Sequence, residues 1–444
     1  MRVTIPQIEI SRQEGFLHKD IFNRKEFGER LANLFENSQE DMVVALDAQW
    51  GEGKSTFIKM WQGHVENNRE KKFKTIYFDA FANDYQKDPF LALTAEIYNL
   101  LKDEGEEKKE EFRQKAGDTL KSMARGALKI GVRMASGGML DGSIVDSVEQ
   151  DISTMIAEQV DDVIADRLKS SEKDKSALKH FKEYLQIIAE EQGDGNPIIF
   201  IIDELDRCRP DFALELIEQI KHIFSVQGIT FLLVLNRKQL EASVKSRYGN
   251  DIDASLYLQK FVTLWLSLPR SSQQYDDNGK KYLNHALDSM LKEDEQFQNT
   301  ELKELLIDIV KYKKLSYREI ERILSYVAIL HNMSSKQGFK PIYQIAMAFI
   351  CYLKVVAPTV FEKISNKNIN FTSLVEESKF DLTNEIKNEF NGIAYMIKII
   401  KFDFSDDTIR KQMIEDGEID RKDCRHSTQS IFVQVANMLK TMKN

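Results

Sequence analysis

The chain of 444 residues is poor in cysteine and proline, with three of the first and seven of the second. Cys208, Cys351 and Cys424 are too scattered for a disulfide framework or a paired zinc knuckle, which fits a reducing compartment and implies a cytoplasmic protein. Basic surplus is missing as well. Lys plus Arg number 62 against 71 Asp plus Glu, a formal charge of −9, so the whole molecule lacks the excess that drives sequence-independent nucleic-acid binding through counterion release. No uncharged apolar stretch approaches the ~20 residues that cross a bilayer, so no integral membrane span is expected. Residues Met1 to Arg12 are polar or charged at nearly every step and contain no signal-peptide core, from which secretion is not expected. The seven histidines form no His-x-x-x-His pair, and Cys424 with His426 has no further ligands nearby, which argues against a metal hydrolase. What the chain does contain is 42% hydrophobic and 30% charged residues, enough apolar material for one or two cores.

Five short β-branched or aromatic runs read as strands: Val43 to Asp47, Thr75 to Asp79, Ile198 to Asp203, Ile229 to Leu235 and Phe261 to Leu268. Near-continuous apolar character, rather than alternation, is what strands buried on both faces of a parallel sheet require, so the expectation is an α/β protein. About 118 residues separate the second and third strands, too many for one crossover helix, which implies a helical insertion. Pro89 to Lys102 and Ala177 to Ala189 have helical spacing, and the charge run KDEGEEKKEEFRQK reads as a solvated helix face. Met123 to Val145, rich in small residues but broken by Lys129, Arg133 and Asp141, reads as a helical hairpin packed on the core, with interfacial membrane contact as the other reading. Beyond Pro269 the pattern turns helical at Leu283 to Leu291, Leu302 to Tyr312, Tyr317 to His331 and Tyr343 to Val356, with Ser316 and Glu319 placed as a capping box. From Ser365 to Asp381 the chain is polar and poorly periodic, and the last forty residues are highly charged.

The segment Ala48-Gln49-Trp50-Gly51-Glu52-Gly53-Lys54-Ser55-Thr56 lies between the first strand and an amphipathic stretch, Thr56 to Val65. It matches the P-loop pattern at Gly53, Lys54 and Ser55, but Ala48 replaces the first glycine. A strand-to-helix turn aims backbone N–H groups at one spot and the helix dipole adds positive potential, so residues Trp50 to Thr56 are candidates to bind a polyphosphate. Lys54 would add a point charge at the β and γ phosphates, and Ser55 a hydroxyl for Mg²⁺. Downstream, the apolar run Ile198 to Ile202 ends in Asp203 and Glu204, which places two carboxylates at the edge of a central strand, where ligands sit in open α/β sheets. Asp203 is the candidate Mg²⁺ holder and Glu204 the base that polarises water. Asn236, at the end of the fourth strand, could hydrogen-bond the γ phosphate or the water, or simply make a turn. Arg207, Arg237, Arg318 and Arg322 could neutralise transition-state charge, and the sequence does not rank them. Arg318 and Arg322 share a helix face, which suits a lid over nucleotide and suits a solvated surface equally. Cys208 reads as a packed thiol rather than a nucleophile.

Together these segments resemble the KAP family of P-loop NTPases. The resemblance rests on DIFNRKEF (Asp20 to Phe27), the loop Trp50 to Ser55, Phe78 to Ala82 with Asp88-Pro89-Phe90, DELDRCRP (Asp203 to Pro210), LNRKQLEASVKSRYG from Leu235, YLQKFVTLWLSLP from Tyr257 and LSYREIER (Leu315 to Arg322). It implies a five-stranded parallel sheet of order 5-1-4-3-2 flanked by helices, ATP with Mg²⁺ as cofactors, and a long insertion before the acidic strand. The chain would divide into a P-loop ATPase domain at 1–270, with its insertion at about 103–190, and a helical lid and C-terminal region at 271–444. Many family members carry transmembrane helices in the insertion; here the segment falls short of spanning length, which implies the soluble branch. Two departures, Ala48 for glycine and Asn236 where aspartate is frequent, raise the expectation of backbone strain and of slow hydrolysis.

Bacterial relatives often belong to antiphage defence loci beside effector proteins, so the resemblance implies the nucleotide-driven sensor or motor of such a system, homo-oligomeric when active. A nucleotide-gated scaffold with little turnover and a nucleic-acid-stimulated ATPase are the alternatives.

Overall fold

The computed structural model describes the chain except residues 7–9, 18, 39–40, 87, 137–154, 270–274, 293–294, 298, 334–338, 379, 381–389, 420–429 and 441–444. Strands β1 (Val43–Asp47), β2 (Thr75–Asp79), β3 (Ile198–Asp203), β4 (Ile229–Leu235) and β5 (Leu264–Ser267) form one sheet of order β2-β3-β4-β1-β5. Every pairing is parallel, and the order is the expected one read from the other edge. The fifth strand is shorter than its apolar run, although Thr263 N–H to the Val43 carbonyl (2.8 Å) and Leu268 N–H to the Asp47 carbonyl (3.0 Å) extend the ladder at both ends.

Both faces of the sheet are covered, which explains the unbroken apolar strands. On one face Val43, Ala45, Phe200, Ile202, Phe231 and Leu233 pack under α4 (Pro89–Leu100), α7 (Pro210–Gln219) and α8 (Arg237–Tyr248). Phe200 and Phe231 stack across β3 and β4 with centroids 5.3 Å apart. On the other face Val44, Leu46, Ile199, Ile201, Leu232 and Val234 meet α1 (Lys25–Asn37) and α2 (Lys54–Gly63). Each large side chain buried this way contributes about 1.5–3 kcal/mol.

The insertion is a pair of long helices, α5 (Glu106–Ser136) and α6 (Met155–Gly193), which lie side by side. Thr119 Oγ1 donates to the Ala177 carbonyl (3.4 Å) and the Tyr184 hydroxyl to the Lys108 carbonyl (3.1 Å). Their base is seated on the domain by Phe112 and Phe181, which join Phe90 and Phe224 in one aromatic cluster. The expected hairpin at 123–145 lies, beyond residue 136, outside the described residues. Among the described residues no helix is long and apolar enough to cross a membrane.

A second large core belongs to α10 (Tyr275–Met290), α11 (Thr300–Lys313), α12 (Tyr317–Met333), α13 (Pro341–Val356), α14 (Pro358–Ser365) and α15 (Phe371–Ser378), with Met1 packed into it. The capping box forms as read: Ser316 N–H donates to Glu319 Oε2 (2.7 Å) and Glu319 N–H to Ser316 Oγ (3.3 Å). Two readings of the chain's end need correction. Phe371–Ser378 is helical where no periodicity was read, and Ile431–Lys440 is a helix, α18, whose Phe432, Val435 and Leu439 are buried. The helices Asn391–Phe404 (α16) and Asp407–Glu415 (α17) precede it. Its charged flank at 420–429 masks the apolar segment when the tail is read as a whole. Cys424 and His426 lie outside the described residues.

Candidate functional site

A parallel sheet points all its carboxyl ends the same way, and at that edge β1 ends on Asp47, β3 on Asp203, and β4 runs into Asn236. β4 lies between β1 and β3, so Asn236 stands between the loop after β1 and the acids after β3. The loop 48–53 leaves β1 with Ala48 N–H bonded to the Leu235 carbonyl (3.2 Å). It turns through Gly51 (φ 82°) and Gly53 (φ 75°) into the first turn of α2. The expected strain at Ala48 does not occur. Its φ is not positive, its methyl is buried in the core beside Leu46 and Phe57, and the left-handed positions fall on the glycines.

Lys54 is 9% exposed, and its ammonium donates to the Ala48 carbonyl at 2.6 Å, which folds the side chain back over the loop. Burial lowers its pKa, opposed by the charges of Asp206, Asp203, Glu204 and Asp47 around it. The Ser55 hydroxyl donates to Glu204 Oε1 at 3.2 Å, close to the Asp203 carboxylate, whose charged form it favours. Thr56 follows, half-buried, in the same helical turn. Trp50, 41% exposed, hands its indole N–H to the Asp206 carboxylate, tying the loop to the turn after β3. Glu52 Oε2 accepts the Gln49 N–H at 2.8 Å and closes the loop from within.

Asp203 is fully buried, and that burial raises its pKa against hydrogen bonds from Ser55 and Tyr77. Tyr77 on β2 donates its hydroxyl to Oδ2 at 3.0 Å, and Glu204 N–H donates to Oδ1 at 2.8 Å. Glu204 takes the left-handed conformation (φ 62°), and burial raises its pKa while Arg207 opposes that. Asn236 Oδ1 accepts Lys238 N–H at 3.1 Å, so the side chain caps α8, and its amide is the part that can face a phosphate.

The arginines separate cleanly. Arg237 lies over the Trp265 ring (4.6 Å) and pairs with Glu241 (2.8 Å), which commits it outside the loop. Arg318 lies against the loop: a Cβ added at Gly51 would sit 3.1 Å from Arg318 Cγ and 3.4 Å from its backbone nitrogen. Arg322 is exposed one turn further along α12. Arg207 pairs with Glu204. Cys208 is buried with its pKa raised by that burial, a packed thiol as read.

Three residues at the site were not singled out from sequence. Arg24 is 4% exposed, donates from Nη1 to the Glu52 carbonyl (3.0 Å) and lies over the Phe22 ring (4.7 Å). Its position within DIFNRKEF was the available signal. Tyr77 showed only as one residue of an apolar strand run, and Asp206 only as a third acid behind the first two.

No curated protein matches this chain. A solved structure of the Aeropyrum pernix ORC2 protein in ADPNP–ADP complexes is similar at 13% identity and TM-score 0.39, over 97% of each chain. Its ADP form is similar at 12% and 0.38, over 99% of this chain and 96% of that one. Likeness at that level bears on neither ligand nor partner. Residues 24–334 match the KAP family P-loop domain, a span that runs from Arg24 beside the loop to the end of α12, and the chain therefore belongs to the KAP family of P-loop NTPases.

Proposed function

We propose that the protein is a Mg²⁺-dependent ATPase whose cycle drives a sensor or motor. The observation that supports it best is Ser55, in the first turn of α2, bonded to Glu204 just after β3 and beside Asp203, because this joins the phosphate loop to the acids in one site. Backbone N–H groups from Trp50 to Thr56 would cradle the phosphates at the N-terminus of α2. Lys54, already buried and ringed by carboxylates, would exchange the Ala48 carbonyl for phosphate oxygens. Ser55 and Asp203 would hold Mg²⁺, which shields phosphate charge when bound. A buried carboxylate held by Tyr77, Ser55 and the Glu204 N–H suits such a cation. Glu204 would accept the proton of the water that attacks the γ phosphorus, Asn236 would donate its amide to that phosphate, and Arg318 would counter the charge that develops there.

The lack of strain at Ala48 weakens one of the two grounds for a scaffold that binds without turnover, and Asn236 in place of aspartate is the other. A cytoplasmic, homo-oligomeric ATPase coupled to an effector in antiphage defence is the setting that family resemblance favours. Steady-state and single-turnover ATP hydrolysis tests the assignment. Lys54→Ala is expected to abolish nucleotide binding, and Glu204→Gln to keep binding while losing turnover; unchanged affinity in the first or unchanged turnover in the second refutes the site.

A further inference from the structure

The proposed base is held in place by a neighbour. Glu204 lies just after β3 in left-handed backbone conformation, which is strained for a residue with a side chain and is sustained only where surroundings over-determine it. Those surroundings are local and complete. Glu204 N–H is bonded to Asp203 Oδ1 (2.8 Å), its carbonyl accepts Arg207 N–H (3.1 Å), and the 3₁₀ turn Leu205–Arg207 returns the chain so that the Arg207 guanidinium meets Glu204 Oε2. The other oxygen, Oε1, faces Ser55 on α2. One oxygen is therefore anchored within the turn, and the other points at the nucleotide loop.

Electrostatics explains why an anchor is needed. Around Glu204 stand Asp203 and Asp206 from its own turn, Lys54 and Ser55 from α2, and Tyr77 from β2. The cation in that set towards which an unanchored carboxylate would turn is the Lys54 ammonium, the group the phosphates need. Both side chains of the pair are mostly covered, 30% exposed for Arg207 and 20% for Glu204, so solvent screens the pairing less than at the open surface.

We infer that Arg207 is the positioning residue of the hydrolytic reaction: it pins Glu204 through Oε2, keeps it off Lys54 and presents Oε1 to the attacking water. This rests on Glu204 being the base, and it removes Arg207 from the arginines that could touch the γ phosphate.

The test is ATP affinity and single-turnover rate in Arg207→Ala, Arg207→Lys, Glu204→Gln and the Arg207→Ala/Glu204→Gln double variant. Misplacing a base by an ångström costs about a hundredfold, so Arg207→Ala is expected to lose roughly ten- to a hundredfold in rate, with ATP dissociation constant within about twofold. Arg207→Lys recovers part of that rate, and Arg207→Ala adds nothing to the loss already caused by Glu204→Gln. Retained ATP binding shows that the variants fold, and Arg207→Lys stands in should the alanine variant fail to do so. A rate in Arg207→Ala equal to or above wild type overturns the inference, as does an undiminished further loss in the Glu204→Gln background. Wild-type turnover by Glu204→Gln alone sinks the base assignment itself, and that outcome is distinguishable because it appears without any change at Arg207.

Discussion

Gly51→Ala is a perturbation whose cost can be divided in advance. The residue holds φ 82°, where a Cβ meets its own carbonyl at about 1–2 kcal/mol for an L-residue. The new methyl would also sit 3.1 Å from Arg318 Cγ and 3.4 Å from Arg318 Cβ and backbone nitrogen, too close for ordinary contact. Cγ belongs to the root of the side chain and moves only if the whole side chain changes rotamer, whereas a guanidinium tip could shift alone. A loop that keeps its shape registers the strain as lowered unfolding free energy. A loop that relaxes must rebuild before it can cradle phosphate, and the same 1–2 kcal/mol then appears as a roughly five- to thirtyfold weaker nucleotide dissociation constant. Denaturant unfolding and calorimetric titration with a non-hydrolysable ATP analogue, read together, capture either route. Arg318→Ala in the Gly51→Ala background should relieve the Cγ contact but not the dihedral part, a coupling of about 0.5–1 kcal/mol. The reasoning fails if Gly51→Ala leaves both quantities within about 0.3 kcal/mol of wild type, or if the two substitutions simply add.

Two further outcomes are expected. Tyr77→Phe removes the hydroxyl that donates to Asp203 Oδ2 and lets the pKa of that buried carboxyl climb further, so turnover should need severalfold more Mg²⁺ for half-saturation; an unshifted Mg²⁺ titration contradicts this. Glu295 is held down to about 2 by the Met1 ammonium, with further bonds from Lys292 N–H and His331. Because its folded pKa lies below its ordinary value of 4.5, the contribution is present above that value and is lost as pH falls from 4.5 towards 2. The unfolding midpoint of wild type should therefore fall more steeply through that window than that of Glu295→Gln, and parallel pH profiles would refute the pairing.

The sheet was legible because strands buried on both sides are written as unbroken apolar runs, and four of the five ran as read, the fifth being shorter. Strand order was not contained in those runs and came through the family resemblance. At the site, Lys54, Ser55, Asp203 and Glu204 were legible as motifs and stand together at the sheet edge, with their chemical roles a matter for the proposed assays. Ala48 was misread because a missing glycine suggests strain, whereas the turn places its left-handed residues at Gly51 and Gly53. Arg24 lies within the family-like segment DIFNRKEF, yet an arginine among Asn23, Lys25 and Glu26 gives no sign that its guanidinium is buried. The arginines posed the same difficulty: spacing shows which of them share a helix face, but only the fold shows that Arg237 is committed to Trp265 and Glu241 while Arg318 lies on the loop.

The place of β1 in the sheet also governs when the protein can come into being during synthesis. Its two neighbours, β4 and β5, are both encoded far downstream, so Val43–Asp47 emerges from the ribosome with neither edge partner yet made. At roughly 5–20 residues per second, β4 is complete about ten to forty seconds later. Until then the nascent chain carries an exposed apolar strand and a phosphate loop with no acids opposite it. Helices α5 and α6, translated in that interval, each rest on hydrogen bonds four residues apart that can form at once. The strand that carries the phosphate loop is therefore among the first parts to be written, and it waits for β4 and β5 before its place in the sheet is filled.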